Sequence, residues 1–311
     1  MNRFNLKSVT AICLLGISGV VSSCEKQTEE QLSGVKLSNG LKTKQSGTSA
    51  ALLQFAGNGN LINFNSSSDK EYTKALAEGN FGTMVNNSGF DAVPTKVEIV
   101  NHELRIKLLA NKLSGDGGVI GDFDIEDGPS YEVTYKIKFQ PGFDFGGTDK
   151  GGKLGFGFGI GDGNTGGVIS NGNGGSVRLM WIKLSNGKAV FKPYVYYTNM
   201  PDNTGDDLGM DYGYSPNNDG LQTGVFYSIK MRVKSNDNVA NNNGEIRISV
   251  DGYTILTRTD MNFATVSGKK WIRELLFQTF RGGNTDAWKS QGDWYIYYDD
   301  IKYTKDPTET F

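Results

Sequence analysis

The chain has 311 residues, with 32 lysines and arginines against 34 aspartates and glutamates, one histidine and two cysteines. A net charge of −2 argues against a dedicated nucleic-acid binder, which carries a strongly basic domain, and the lone His102 excludes a multi-histidine metal centre. A chain of this length can bury a substantial core, as one large β domain or two ordinary ones.

The N-terminus reads as an export leader. Arg3 and Lys7 precede a mostly apolar run from Val9 to Val21, too short to span a bilayer comfortably. It ends in Val21-Ser22-Ser23-Cys24, small residues before a cysteine. The expectation is removal of residues 1–23 and lipidation of Cys24, which anchors the chain at the outer membrane, facing the cell surface or the periplasm. Cys13 leaves with the leader, so no disulfide is available to the mature chain. Residues 24–50 are polar with few large apolar side chains and read as a flexible tether. Residues 51–311 are expected to form a single domain, and no later run is apolar enough for a membrane span.

From residue 51 onward the hydrophobic period is two. Val97–Val100 and Glu103–Leu109 alternate around an Asn101-His102 turn, and Tyr131–Phe139 alternates over nine residues. Ser228–Lys234 and Glu245–Val250 follow; Asp251-Gly252 then joins the latter to Tyr253–Leu256, a hairpin signal. Trp294–Tyr303 closes the domain, and the one helical segment expected is a turn or two within Glu71–Glu78. Many short strands between Gly, Asn and Asp turns predict an all-β antiparallel sandwich or jelly roll.

Residues 146–175 contain fourteen glycines. Between Gly155 and Gly159 glycine alternates with phenylalanine, which on a strand leaves one face bare and suits the floor of a groove. Gly161 to Gly175 reads as a loop. Gly161-Asp-Gly163-Asn-Thr-Gly166 matches a dinucleotide fingerprint, but no helix follows to hold a pyrophosphate, so that reading is rejected. His102 sits in a turn, which weakens any serine–histidine nucleophile, and Asp299-Asp300 alone makes no calcium site.

The chemistry concentrates in three strand-like segments. Lys150-Gly-Gly-Lys153-Leu154, Ser176-Val-Arg178-Leu-Met-Trp181 and Tyr194-Val-Tyr196 place Ser176 with Arg178, and Tyr194 with Tyr196, two apart and therefore on one face. A cationic, hydroxyl-rich face of this kind suits an acidic polysaccharide. Cleaving a polyuronate by β-elimination requires neutralisation of the C6 carboxylate, a base for the C5 proton and an acid for the departing O4. Lys153 and Arg178 serve the first need, arginine with a fork that grips a carboxylate. Tyr194 or Tyr196, with a pKa lowered by nearby cations, serves as base and acid; Lys153 as base is the variant. Ser176 is expected to bond the sugar or orient the lysine. This chemistry requires no metal and no organic cofactor.

These three segments, followed by Thr279-Phe-Arg281-Gly-Gly-Asn-Thr-Asp-Ala-Trp288, resemble polysaccharide lyase family 14, over about Glu103 to Tyr303. The resemblance implies a β-jelly roll acting on alginate or another polyuronate. It makes Lys153 the central catalytic lysine and lines the same cleft with Ser176, Arg178, Tyr194 and Tyr196. Lys150, Arg281 and Trp288 are expected to add substrate contacts. Two departures stand out: Gly155-Phe156 follows Leu154 where the family pattern continues with proline, and Arg281 replaces the second phenylalanine of an F-F-G-G motif. The enzyme is expected to be a monomer whose only membrane contact is its lipid. The alternative reading is a lipoprotein that binds glycans without cutting them.

Overall fold

The computed structural model of the chain describes residues 59–164, 166–210, 213–215 and 218–308. The leader, Cys24 and the tether lie outside the described residues. Within them the period-two segments become fourteen strands. In chain order these are β1 (Lys70–Glu71), β2 (Met84–Ser88), β3 (Val97–Val100), β4 (Glu103–Leu108), β5 (Val119–Gly128), β6 (Ser130–Phe139) and β7 (Lys150–Gly161). There follow β8 (Gly174–Lys183), β9 (Ala189–Tyr196), β10 (Phe226–Lys234), β11 (Gly244–Val250), β12 (Tyr253–Met261), β13 (Ile272–Arg281) and β14 (Trp294–Lys305).

They form two antiparallel sheets, one of order β1-β3-β4-β14-β6-β10-β11-β12 and one of order β2-β5-β13-β7-β8-β9. The expected sandwich is therefore the observed one. Both turn signals form as read: Asn101 and His102 have φ of 51° and 65°, and Asp251 and Gly252 have 50° and 81°, the left-handed pair that a two-residue hairpin needs. The helix falls three residues later than expected, at α1 (Lys74–Phe81), because Thr73 caps it by accepting from the Leu76 N–H at 3.3 Å.

Alternation along β4 and β6 buries one face of the larger sheet against the smaller. The centre of that core is aromatic. The rings of Phe156 and Phe277 stack at 4.5 Å, and Tyr298 meets Phe277 edge-on at 5.3 Å. Truncating such a phenylalanine to alanine costs about 3–5 kcal/mol.

One irregularity in β7 lies next to the functional residues. Gly155 has φ +57° and breaks the register between Leu154 and Phe158. Inward parity is kept across it: Leu154, Phe156 and Phe158, each two apart, point into the core, and Lys153 points away from it. A side chain at Gly155 would meet the Tyr135 ring at 2.7 Å. Its N–H is instead held by the Tyr298 hydroxyl from the opposite sheet at 2.9 Å, and that hydroxyl also lies 2.7 Å from Thr279 Oγ1.

Candidate active site

The outward face of the six-stranded sheet carries the chemistry. Its register sets Lys153 opposite Met180, Arg178 opposite Tyr194, and Ser176 opposite Tyr196. Paired residues share a face, so the alternation read from sequence places these groups side by side. Gly157 and Gly159 lie on this face too, paired with Leu276 and Glu274, and they supply its bare floor. A side chain at Gly157 would meet the Val177 carbonyl at 2.3 Å, and one at Gly159 would meet Glu274 Oε2 at 2.8 Å.

Lys153 is 8 % exposed, and its Nζ lies 3.3 Å from the centre of the Tyr194 ring. Burial, and secondarily the Arg178 guanidinium, hold its pKa well below the ordinary lysine value. Arg178 is 5 % exposed, its guanidinium carbon 5.4 Å from the centres of both the Tyr194 and Tyr196 rings. The two tyrosine hydroxyls lie 3.3 Å apart. Tyr194 is half-buried and Tyr196 fully buried.

A tyrosine pKa lowered by cations was the expectation for the base. At Tyr196 the opposite holds. Burial, then the hydrogen bond and charge of Tyr194, push its hydroxyl well up, and Arg178 only partly offsets them. A hydroxyl held neutral is suited to giving a proton, and a lysine held neutral to taking one.

Arg178 also borders a cleft of about 390 Å³ lined by Asn86, Asp122, Ser176, Glu274 and Gln278 among others. Ser176 donates to the Asn164 carbonyl at 3.0 Å, so its hydroxyl anchors the loop after β7 and not the lysine. Burial raises the Asp122 carboxyl, with hydrogen bonds from Gln278 and Asn86 pulling against it. Glu274 is likewise raised, by burial and by the charge of Asp122. Asn86, Asp122, Glu274 and Gln278 were not singled out from the sequence. The available signal was the alternation of Asp122 and Asp124 in β5 and of Glu274 and Gln278 in β13.

Strand parity places two of the expected contact residues, Arg281 and Lys150, on the other face. Arg281 pairs with Gly152, while Phe280 pairs with Lys153, so Arg281 faces the interior. It is 2 % exposed, donates to the Asp144 carbonyl and lies 5.4 Å from the Phe143 ring centre and 5.9 Å from that of Trp181. Lys150 is three residues from Lys153 with regular pairing between them and so points to the other face, where its Nζ lies 5.0 Å from the ring centre of Trp288. Arg281 and Lys150 therefore do not share the face of Lys153, and Trp288 packs beside Lys150. Among the described residues, no group of three or more His, Cys, Asp or Glu side chains is arranged to hold a metal ion.

Comparison with known proteins is consistent with this geometry. The family model for polysaccharide lyase 14 matches residues 122–301. The structure of alginate lyase Aly36B is 36 % identical, with a TM-score of 0.72 over 80 % of this chain and 98 % of that one. A double variant of that enzyme, with a lysine and a tyrosine replaced by alanine, is 35 % identical over 80 % of this chain and 98 % of that one, with a TM-score of 0.72, and holds an alginate tetrasaccharide. The marine PL-14 alginate lyase from Aplysia kurodai shares the fold at 21 % identity and a TM-score of 0.55, over 74 % of this chain and 94 % of that one. No curated protein matches the chain. With a family match over more than half its length, and a 36 % identical relative aligned almost end to end, the chain belongs to the polysaccharide lyase 14 family.

Proposed function

We propose that this polysaccharide lyase cleaves alginate by β-elimination on the outward face of the six-stranded sheet. The observation that carries the reading is the convergence of a desolvated lysine, an arginine and two hydrogen-bonded tyrosines on one bare-floored face. The Arg178 guanidinium holds the uronate carboxylate, which stabilises charge developing as C5 loses its proton. Lys153, whose burial favours the amine, takes that proton. The C4–O4 bond then breaks as the C4=C5 double bond forms, and the Tyr194 hydroxyl, backed by Tyr196, protonates the departing O4. This ordering assigns the base to Lys153, whose burial favours the amine, and the acid to the tyrosine pair, in which burial keeps Tyr196 neutral.

Alginate is preferred over other polyuronates because the 36 % identical relative is an alginate lyase, crystallised as lysine–tyrosine and lysine–methionine double variants with alginate oligosaccharides. Lys153, Tyr194 and Met180 are neighbours here, the lysine opposite the methionine in register and against the tyrosine ring. The test is ultraviolet absorbance of the unsaturated sugar with a panel of alginate, glucuronan and other uronans. A rise with alginate supports the reading; a rise with another uronan alone, or with none, overturns it.

The Val21-Ser22-Ser23-Cys24 motif supports a further part of the proposal, that the enzyme is a lipid-anchored monomer at the outer membrane. Detergent-phase partitioning that is lost in Cys24→Ser, and a monomer mass in sedimentation, are the expected results.

A further inference from the structure

Arg178 is fixed in the cleft without touching a carboxylate. Its side chain crosses β7 where that strand is bare, with Cγ 3.2 Å from where a side chain on Gly157 would begin. Beyond that strand, its Nη1 donates to Gln278 Oε1 at 2.9 Å. Gln278 Nε2 donates to Asp122 Oδ1 at 2.9 Å, and Asn86 Nδ2 donates to Asp122 Oδ2 at 2.8 Å. Arg178, Gln278 and Asp122 are 5 %, 5 % and 8 % exposed.

The order of groups in this chain has a chemical consequence. Arginine only donates and a carboxylate only accepts, so the amide between them has one permitted orientation, oxygen toward Arg178. A carboxylate in direct contact would occupy the guanidinium fork and cancel its charge, whereas the same charge one side chain further away attracts it less. The rest of the guanidinium is buried and poorly partnered. Arg178 Nε has no partner, and Nη2 reaches only the Asn164 carbonyl, at 3.5 Å.

We propose that Gln278 and Asp122 are positioning residues for Arg178: the neutral amide orients the guanidinium and keeps the balancing carboxylate away from it, so that the charge remains available to a substrate carboxylate. The proposal rests on the reading that Arg178 binds the uronate group, and it names two residues whose own atoms need not touch the sugar.

The test exchanges the two functions. In the double variant Asp122→Asn with Gln278→Glu, every hydrogen bond of the chain can be kept and the net charge is unchanged, but the carboxylate now contacts Arg178. The expected result in the full chain is an unchanged Tm and a KM for the polyuronate raised about 10- to 100-fold, with kcat changed much less. A purely structural hydrogen-bond role predicts parental KM for this variant, and that outcome overturns the proposal. Gln278→Met removes the acceptor without adding charge and decides the matter if the exchanged variant does not fold: raised KM supports the proposal and parental KM overturns it. Arg178→Ala separates the two levels. If its KM rises and that of the exchanged variant does not, only the positioning role fails; if its KM is parental, the assignment of Arg178 fails and the proposal with it.

Discussion

The Nζ of Lys153 lies 3.3 Å from the centroid of the Tyr194 ring, against the face of the ring and without a hydrogen-bond acceptor among the described residues. Two effects compete in this contact. The ring face favours the ammonium form by about 0.5–2 kcal/mol. Removal from water and the neighbouring Arg178 charge favour the amine, and the cost of burying an unpaired charge is the larger quantity. The balance moves toward the amine, the form that can accept a proton from a sugar carbon.

Replacing Lys153 therefore removes the base. Lys153→Ala is expected to lower kcat by about 10²–10⁴-fold, and Lys153→Arg to do the same because a guanidinium stays protonated. In the parent, kcat/KM should rise with pH as the Lys153 amine deprotonates, with its midpoint below the ordinary lysine pKa of about 10.4. Product absorbance across a pH series checks this; a midpoint at or above the ordinary value contradicts the assignment.

The same burial costs stability. The folded-state pKa of Lys153 lies below the unfolded one, so between the two values the unfolded chain binds a proton that the folded chain does not. The parent gains stability as pH rises through that window, and the cost of burial is fully present below it. Lys153→Met removes the cost. It should be more stable than the parent at pH 7, with the gap closing as pH approaches about 10.4; each 1 kcal/mol appears as about 2–4 °C in Tm. Thermal unfolding at several pH values reads the difference, and a methionine variant no more stable at pH 7 would contradict it.

The two floor glycines should respond differently to alanine. At Gly157 the added carbon meets backbone, the Val177 carbonyl at 2.3 Å, so Gly157→Ala should cost about 1–3 kcal/mol. At Gly159 it meets Glu274 Oε2 at 2.8 Å, the end of a side chain that can turn away. Gly159→Ala should unfold near the parental temperature while raising KM by displacing Glu274 into the cleft. Calorimetry alongside kinetics separates the two.

Arg281 makes the opposite case from Arg178. It is buried on the core side, its Nε and Nη1 have no partner, and Asp144 Oδ2 is 3.8 Å away. A buried charge so incompletely paired is exchanged for an apolar group at little cost, or with a gain. Arg281→Phe is expected to keep parental KM and kcat and to leave Tm unchanged or raised. A rise in KM would place Arg281 in the substrate path after all.

Much of this protein is legible along the chain because its causes are local. A period of two, with Asn101-His102 and Asp251-Gly252 at the turns, is enough for the hairpins, and alternation on adjacent strands is enough to group Ser176 with Arg178 and Tyr194 with Tyr196. The family motifs carry the class of reaction. The irregularity at Gly155 is decided otherwise: its N–H is held by Tyr298 and its bare Cα lies against Tyr135, both from the opposite sheet. Lys150 and Arg281 each lie three residues from a cleft residue, Lys153 and Gln278, yet on the other face, because an odd number of steps along a strand reverses direction. Asp122, Gln278 and Asn86 sit 56, 100 and 92 residues from Arg178 in the chain, and only sheet order makes them one hydrogen-bonded row. Residue types and alternation follow from sequence by itself; which face each group occupies, how dry it is and what charge it carries follow from packing one sheet on another.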